Sequence, residues 1–523
     1  MAQQPRKNTS GKATNGKPDG DKPNNTKSSG TGANSGTGRT GTQQKATGQQ
    51  KATGQQKATG QQKSGGAKQG SGGRKPASSG STARRERGSE HPRAAIIGSN
   101  RIPFAKAGGA YAEATNQDML TTALSGLIAR YQLQGERLGD VVGGAVLKHS
   151  RDFNLTREAV LGTDLSPQTP AVDIQRACAT SVEAVNVVAN KIKLGQITSG
   201  IAAGVDSTSD APIVVSDRLR KTLLRLSRAK TVPERLKLVG QLRPSDLAPV
   251  APNVNEPRTG LSMGEHQAIT TRQWGITREA QDEVALASHQ NLDKAYANGF
   301  FDDLLTPYRG LVRDQSLRSD TSAEKLAALK PVFGTKGEHA ASASMTAGNS
   351  TPLSDGAASV LIGTPEWAEE RGLPVLAHVV DSEAASVDFA RGEDGLLMGG
   401  AYAVPRLLHR HGLTLDDFAF VEIHEAFASV VLTTAAAWAD EDFCTNRVGV
   451  PSPGELDYDR LNVTGSSVAA GHPFAATGAR IVGTLAALLA QHKEQQGGEE
   501  PARGLISVCA AGGQAVAMIL EAA

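Results

Sequence analysis

Four residues combine reactive side chains with a shared kind of position: Cys178, His424, His472 and Cys509. Cys178 lies in "DIQRACATSVEAVNVVANKI", between a short polar run and a segment with the apolar spacing of a helix. A thiol there has two readings. Free cysteines commonly serve as small core residues, whereas the positive end of a helix dipole stabilises a thiolate and suits a nucleophile. The other three also have plain structural readings, Cys509 as a core thiol, His424 as a capping side chain and His472 as a surface histidine in a Gly-His-Pro turn. Their common placement sets them apart, because each falls on a loop at the end of a strand pattern or the start of a helix pattern. Ligands bind at the carboxyl ends of strands in open α/β sheets. Two thiols and two imidazoles could instead hold zinc. Their separations of 246, 48 and 37 residues contain none of the short paired spacings of structural zinc sites, so no metal is expected. Cys444, in the charged loop "DEDFCTNR", reads as structural.

The elements that must position these groups begin near Arg93. "RAAIIGSNRIPF" reads as a buried strand, "NQDMLTTALSGLIARY" as an amphipathic helix, and "LGDVVGGAVLKH" as a strand entering a Gly-rich loop. After the Cys178 helix, "ITSGIAAGVDSTSD" reads as a strand of small apolar residues. Such alternation favours a sheet covered by helices on both faces. Residues 212 to about 345 break the rhythm with the basic run "DRLRKTLLRLSRAK", Pro-rich loops and a long amphipathic helix, and an insertion of that length predicts a subdomain. The C-terminal half then echoes the N-terminal half in element order. "FAFVEIHEAFASVVL" takes the place of "DVVGGAVLKH", and "NVTGSSVAAGHPFAATGARIVGTLAALLA" that of the Cys178 loop and helix. This order predicts two similar halves related by a pseudo-twofold axis, with the Cys178 loop facing the Gly-His-Pro loop.

Residues 1–93 differ from everything after them. They are built from Gly, Ser, Thr, Asn, Gln, Lys and Pro, with "QQKATG" recurring at Gln43, Gln49 and Gln55, and they cannot bury enough apolar surface to offset ordering entropy. A disordered low-complexity tail is expected, and a solenoid is excluded because the period of six carries no apolar position. Of the 56 basic and 53 acidic residues, 18 and 4 fall in this tail, leaving 38 and 49 for the body. The chain is thus a basic tail on an acidic body, and the tail reads first as a tether and second as a loose anion binder. It has no apolar core of a secretory signal and no amphipathic transit-peptide pattern, and no run approaches the 18 apolar residues of a membrane span. Three widely separated cysteines fit a reducing compartment. A cytoplasmic location is expected.

The body resembles the thiolases, and more narrowly the 3-ketoacyl-CoA thiolases related to the trifunctional-enzyme β-subunit. The stretches that carry the resemblance are "DIQRACATSVEA", "GLSMGEH", "MTAGNSTPLSDGAA", "EIHEAFA", "GHPFAATGAR" and "SVCAAGGQAVAMILE", in family order from about residue 95 to the C-terminus. The resemblance implies an α/β thiolase fold, with halves at 94–365 and 366–523 and a loop subdomain at 212–345. It makes Cys178 the nucleophile that carries the acyl group and His472 the group that takes its proton and helps hold the thioester oxygen. Cys509 moves a proton to and from the α-carbon of acetyl-CoA. The chain departs from most thiolases at two places. His424 stands where Asn usually supports an oxyanion hole, a departure shared with the trifunctional branch. Ala511 stands where a Gly main-chain N–H usually completes the second oxyanion hole, and Ala serves equally unless the backbone there needs Gly.

The chemistry accounts for these residue types. Cleaving a 3-ketoacyl-CoA needs a nucleophile that adds to the keto carbon and later leaves, which suits a thiolate that His472 and the helix dipole would make available at neutral pH. The departing enolate needs a proton donor, a role for Cys509. Developing oxyanions call for donors such as His424, His472 and the N–H groups of Cys178 and Ala511. Coenzyme A is then a substrate and no other cofactor is expected. The basic run with Arg218 and Arg220 could meet its phosphates, the resemblance puts Ser350 and Thr351 beside the pantetheine, and Met263 beside the acyl group. Relatives suggest a homodimer or homotetramer and admit a hydratase/dehydrogenase partner subunit; nucleic acid is not an expected partner. Two rival readings remain at this stage, a decarboxylating ketoacyl synthase on the same fold, which would not need Cys509, and a scaffold acting through the anion-binding tail.

Overall fold

A computed structural model describes residues 92–250, 255–392, 394–497 and 502–523, so the tail expected over residues 1–93 lies outside them except for its last two residues. Its first strand, β1 (Ala95–Arg101), is buried along its whole length, which explains why "AIIGSNR" shows no in-out alternation. Helix α1 (Asn116–Arg130) starts at a capping box formed by Thr115 and Asp118 and buries Met119, Leu120, Leu124, Leu127 and Ile128 on one face. Next come β2 (Asp140–Gly143), β3 (Ala171–Asp173), α2 (Thr180–Lys193) and β4 (Ser199–Ser207). The insertion contributes α3 (Asp217–Leu226), α4 (Val232–Val239), α5 (Met263–Gln273) and α6 (Arg278–Ala297). Besides short helices and strands, the chain continues with β5 (Ser354–Gly363), β6 (Ala377–Ser386), α7 (Gly399–His411), β7 (Phe420–Ile423), α8 (Ala428–Ala439), α9 (Thr477–Gln496), β8 (Arg503–Ala510) and β9 (Gln514–Ala522).

The strands run in the order β7-β8-β9-β6-β1-β5-β4-β2-β3, and a two-residue strand, Ala105–Lys106, pairs with β5. The repeat predicted from element order is visible in this path. In the first half β2 is parallel to β3 and β4, while β5 is antiparallel to β4 and β1. In the second half β7 is parallel to β8, while β9 is antiparallel to β8 and β6. The counterpart of β3 has shrunk to a single parallel bridge between Val421 and Leu461. The halves meet edge to edge through Ala95↔His378 and Ile96↔Ala377.

Between them, α2 and α9 pack into a common core in which Val182, Val185 and Ala189 meet Ala479, Val482 and Leu485. The approach is close enough to need glycine: a Cβ on Gly478 would lie 2.4 Å from the main-chain nitrogen of Val182. The Ala479 N–H donates to Ser181 Oγ across the same junction at 2.7 Å. This packing qualifies one expectation from sequence. The helical stretch Phe474–Gln496 is long and apolar enough to cross a membrane, and it carries that composition as a core helix, with 78% of its apolar 18-residue window buried inside the fold.

Candidate active site

The α2–α9 junction brings two helix starts together, and each is preceded by a reactive side chain. Cys178 follows Ala177, a non-glycine residue held in the left-handed region at φ 44°. Thr180, the first residue of α2, secures this turn: its hydroxyl donates to Ala177 O at 2.7 Å and accepts from Arg176 N–H at 2.9 Å. His472 precedes α9 in the same way. Its Nδ1 lies 2.6 Å from Oγ1 of Thr477, the first residue of α9, and its main-chain N–H donates to Ser354 Oγ at 3.1 Å. Gly471 makes that placement possible, since it adopts φ 102° and a Cβ there would lie 2.6 Å from Ser354 Oγ. Replacing Gly471 with Ala should lower stability by about 1–3 kcal/mol, read from the denaturant midpoint at unchanged m-value; an unshifted midpoint would refute the strain argument.

Cys509 sits near the end of β8, opposite Ala515 of β9, and the chain then turns through Ala511, Gly512 and Gly513. The left-handed positions of this turn belong to Gly512 at φ 81° and Gly513 at φ 73°. Ala511 is not in that region, so its backbone does not need glycine, and its main-chain N–H donates to the sulfur of Cys178. Glu256 of the insertion braces the turn by accepting from Gly512 N–H at 2.7 Å.

His424 follows β7, and its N–H continues the β7–β8 ladder to Ser507 O at 2.9 Å. Its ring lies against that of His472, with centroids 4.2 Å apart and planes inclined by 46°. Nδ1 of His424 is 2.9 Å from Ser467 Oγ, and Nε2 is buried with no hydrogen-bond partner among the described residues.

Cys178, His472, Cys509 and Ala511 line one cavity of about 280 Å³, whose remaining wall includes Met263, Phe333, Leu353, Phe427 and Phe474. His424 stands behind His472. Of the expected binding residues, Met263 and Thr351 line the cavity, and the Thr351 hydroxyl donates to Ser467 O at 2.7 Å. Ser350 does not line it; its hydroxyl is buried without a partner among the described residues. Arg218 and Arg220, the expected phosphate contacts, lie outside the residues that line this cavity. They lie on α3, half exposed, where Arg218 binds Asp246 and the Gln241 carbonyl and Arg220 binds Asp217. Lys221, one turn on from Asp217, also pairs with it, so the start of the basic run forms local ion pairs on the face of α3. Cys444 is buried in the core, donating to Ala437 O at 3.3 Å.

Burial governs the electrostatics of these groups. Cys178 keeps some exposed surface toward the cavity, but burial pushes its thiol up to about 12 despite the Ala511 N–H, with the Asp206 carboxylate adding to the rise. The resting nucleophile is therefore a thiol, because losing water costs the anion more than one main-chain donor returns. Burial also raises Cys509, and proximity to Cys178 raises it further. Both histidines are held neutral. Burial and then the charge of Arg480 bring His472 down to about 3, and burial followed by His472 and Arg480 lowers His424 strongly.

Several contributors were not singled out from sequence. Thr477 and Arg480 stand inside "GHPFAATGAR" and Ser467 just before it, but nothing in their types signals a role. Asp206 is a buried carboxylate at the end of β4 that accepts from Val146, Leu147 and Ala475 N–H groups, tying the loop after β2 to the His472 loop. Its signal was an acid closing an apolar strand in "GVDSTSD". Among the described residues no group of three or more His, Cys, Asp or Glu is arranged to hold a metal ion.

Comparison with known proteins gives a consistent result. A family model described as the thiolase N-terminal domain matches residues 94–366, and one described as the thiolase C-terminal domain matches residues 373–522. The chain is 41% identical over 436 residues to a 3-ketoacyl-CoA thiolase of Serratia proteamaculans, covering 82% of this chain and 97% of that protein. Its fold is similar to that of the Bacillus anthracis acetyl-CoA acetyltransferase, with TM-score 0.66 and 29% identity over 83% of this chain and 100% of that one. It is also similar to a thiolase from Ascaris suum solved in complex with coenzyme A, with TM-score 0.67 and 25% identity over 82% and 100% of the two chains.

Proposed function

Because this chain belongs to the thiolase family, we propose that Cys178, His472 and Cys509, which line the cavity, carry its reaction together with His424 behind His472. The chain is an acyltransferase with acyl-CoA thiolase activity, and coenzyme A is its substrate. The observation that carries the site reading is the convergence of two thiols, a neutral imidazole and a main-chain N–H on one largely apolar cavity. In the cleavage direction Cys178 Sγ adds to the 3-keto carbon while neutral His472 accepts its proton. The C2–C3 bond then breaks, leaving an acyl thioester on Cys178 and the enolate of acetyl-CoA. Cys509, kept protonated by burial, delivers its proton to C2. The sulfur of a second coenzyme A attacks the acyl-Cys178 carbonyl and gives its thiol proton to Cys509; the bond to Cys178 breaks, and the departing Cys178 sulfur takes back its proton from His472. The N–H groups of Cys178 and Ala511 serve the oxyanion on the acyl carbon, and His424 with His472 serves the enolate oxygen. The decarboxylating synthase and the tail-borne scaffold are not favoured: the former has no use for Cys509, and the relatives are thiolases.

We extend the reading to substrates longer than acetoacetyl-CoA, on the strength of the wall formed by Met263, Phe333, Leu353, Phe427 and Phe474. Loss of 3-ketoacyl-CoA absorbance, followed for four-, eight- and ten-carbon substrates, tests it. Each buried methylene contributes about 0.8 kcal/mol, so KM should fall up to roughly fourfold per added carbon until the cavity is full. A preference for acetoacetyl-CoA would defeat the chain-length reading, and no cleavage of any of them would defeat the site reading. A homodimer or homotetramer, with or without a hydratase/dehydrogenase partner subunit, and a cytoplasmic location complete the proposal; three unpaired cysteines support a reducing compartment.

A further inference from the structure

Arg480 is a buried cation with a contact that determines how His424 is protonated. It lies on α9, 4% exposed, and its Nη2 donates to Ser467 Oγ at 3.1 Å and to Ser466 Oγ at 3.0 Å. The same Ser467 oxygen is 2.9 Å from Nδ1 of His424. A guanidinium only donates, so its contact occupies a lone pair of the hydroxyl and leaves the hydroxyl proton to find an acceptor elsewhere. The side-chain contacts of Ser467 are Arg480, which cannot accept, and Nδ1 of His424, which can when the ring is neutral. The hydroxyl thus donates to Nδ1, and the ring proton resides on Nε2.

That nitrogen is the one buried without a partner beside His472. Leaving a buried donor unpaired is costly in the resting protein, and an oxygen that becomes negative during turnover would satisfy it. Neutrality matters here, because an imidazolium would donate from both nitrogens and its tautomer would be irrelevant. Burial and the nearby guanidinium keep both rings neutral, and the carboxylates facing Arg480 are Glu422 and Glu425. We propose that Arg480, acting through the Ser467 hydroxyl, locks His424 in the Nε2–H tautomer and thereby keeps an oxyanion-hole donor aimed at the reaction. Arg480 and Ser467 are positioning residues in this account, which rests on the oxyanion role assigned to His424 above.

The test compares thiolysis with alkylation of Cys178 by iodoacetamide, which makes no oxyanion, in full-length wild type and in His424→Ala, Arg480→Gln, Arg480→Lys and Ser467→Ala. Gln can accept the Ser467 proton and so release the ring to the other tautomer, whereas Lys, like Arg, can only donate. Arg480→Gln should therefore lower kcat by on the order of 10²-fold, the effect of losing one oxyanion-hole donor, while KM and the alkylation rate stay within about threefold. Arg480→Lys should restore most of kcat, Ser467→Ala should reproduce the Gln loss, and the Ser467→Ala/Arg480→Gln double variant should be no worse than either alone. Equal losses in the Gln and Lys variants would overturn the inference, as would alkylation falling in step with kcat or full activity in Ser467→Ala. A fully active His424→Ala enzyme would instead remove the oxyanion role on which the inference stands, and so is distinguishable from its failure.

Discussion

Replacing Cys178 with Ala should abolish thiolysis, lowering kcat by on the order of 10⁴-fold or more, because a covalent route loses its only nucleophile. The variant should fold normally. Cys178 sits against the cavity, and the turn that holds it is secured by Thr180 and by the Ala179 N–H to Arg176 O bond, none of which uses the thiol. Substrate binding should persist, since the apolar wall and Thr351 are untouched. Mass spectrometry of the intact protein incubated with acyl-CoA provides the companion measurement: wild type gains one acyl group and the Cys178→Ala protein gains none. Acylation of the variant, or residual turnover within tenfold of wild type, would place the nucleophile elsewhere.

Cys509→Ala should separate the two halves of the reaction. Protonation of the enolate carbon loses its donor, so cleavage of the carbon–carbon bond should slow by about 10²–10⁴-fold, the usual range for general acid–base catalysis. Acyl exchange between an acyl-CoA and Cys178 makes no carbanion and should retain most of its rate. Acyl exchange is measured by label transfer between acyl-CoA and free coenzyme A, and cleavage by absorbance. A parallel collapse of both rates would mean that Cys509 supports Cys178 and not the substrate carbon; unchanged cleavage would assign the proton to another group.

Much of this site was legible because its four groups stand at strand and helix ends, where the type of residue and the local pattern are readable together. The Cys178 and Gly-His-Pro loops were expected at equivalent places, and the core shared by α2 and α9 shows the packing that brings the two helix starts together. The bracing of the site was less legible. Ser467 and Arg480 lie thirteen residues apart and come together because the short helix Ser467–Ala470, packed on α6, holds the Ser467 hydroxyl within reach of the Arg480 side chain. The burial that raises Cys178 was not legible from its place ahead of a helix, which says nothing of the desolvation at that place. The partners of Arg218 and Arg220 were hidden for a related reason: their charges are visible in sequence, while Asp246, which pairs with Arg218, arrives from a separate turn. The edge-to-edge join of the halves rests on two residue pairs and has no signature in either strand.

The burial that keeps Cys178 and Cys509 protonated also bears on chemical wear. Sulfenic, sulfinic and sulfonic acids form from thiolates, and the last two are difficult or impossible to reverse. A nucleophile stored as a thiol, in an apolar enclosure and beside a second thiol in the same condition, presents little anion to peroxide between turnovers. The enzyme thus trades standing reactivity for durability, and substrate binding, with the proton transfer that follows it, is what turns a quiet sulfur into a reactive one.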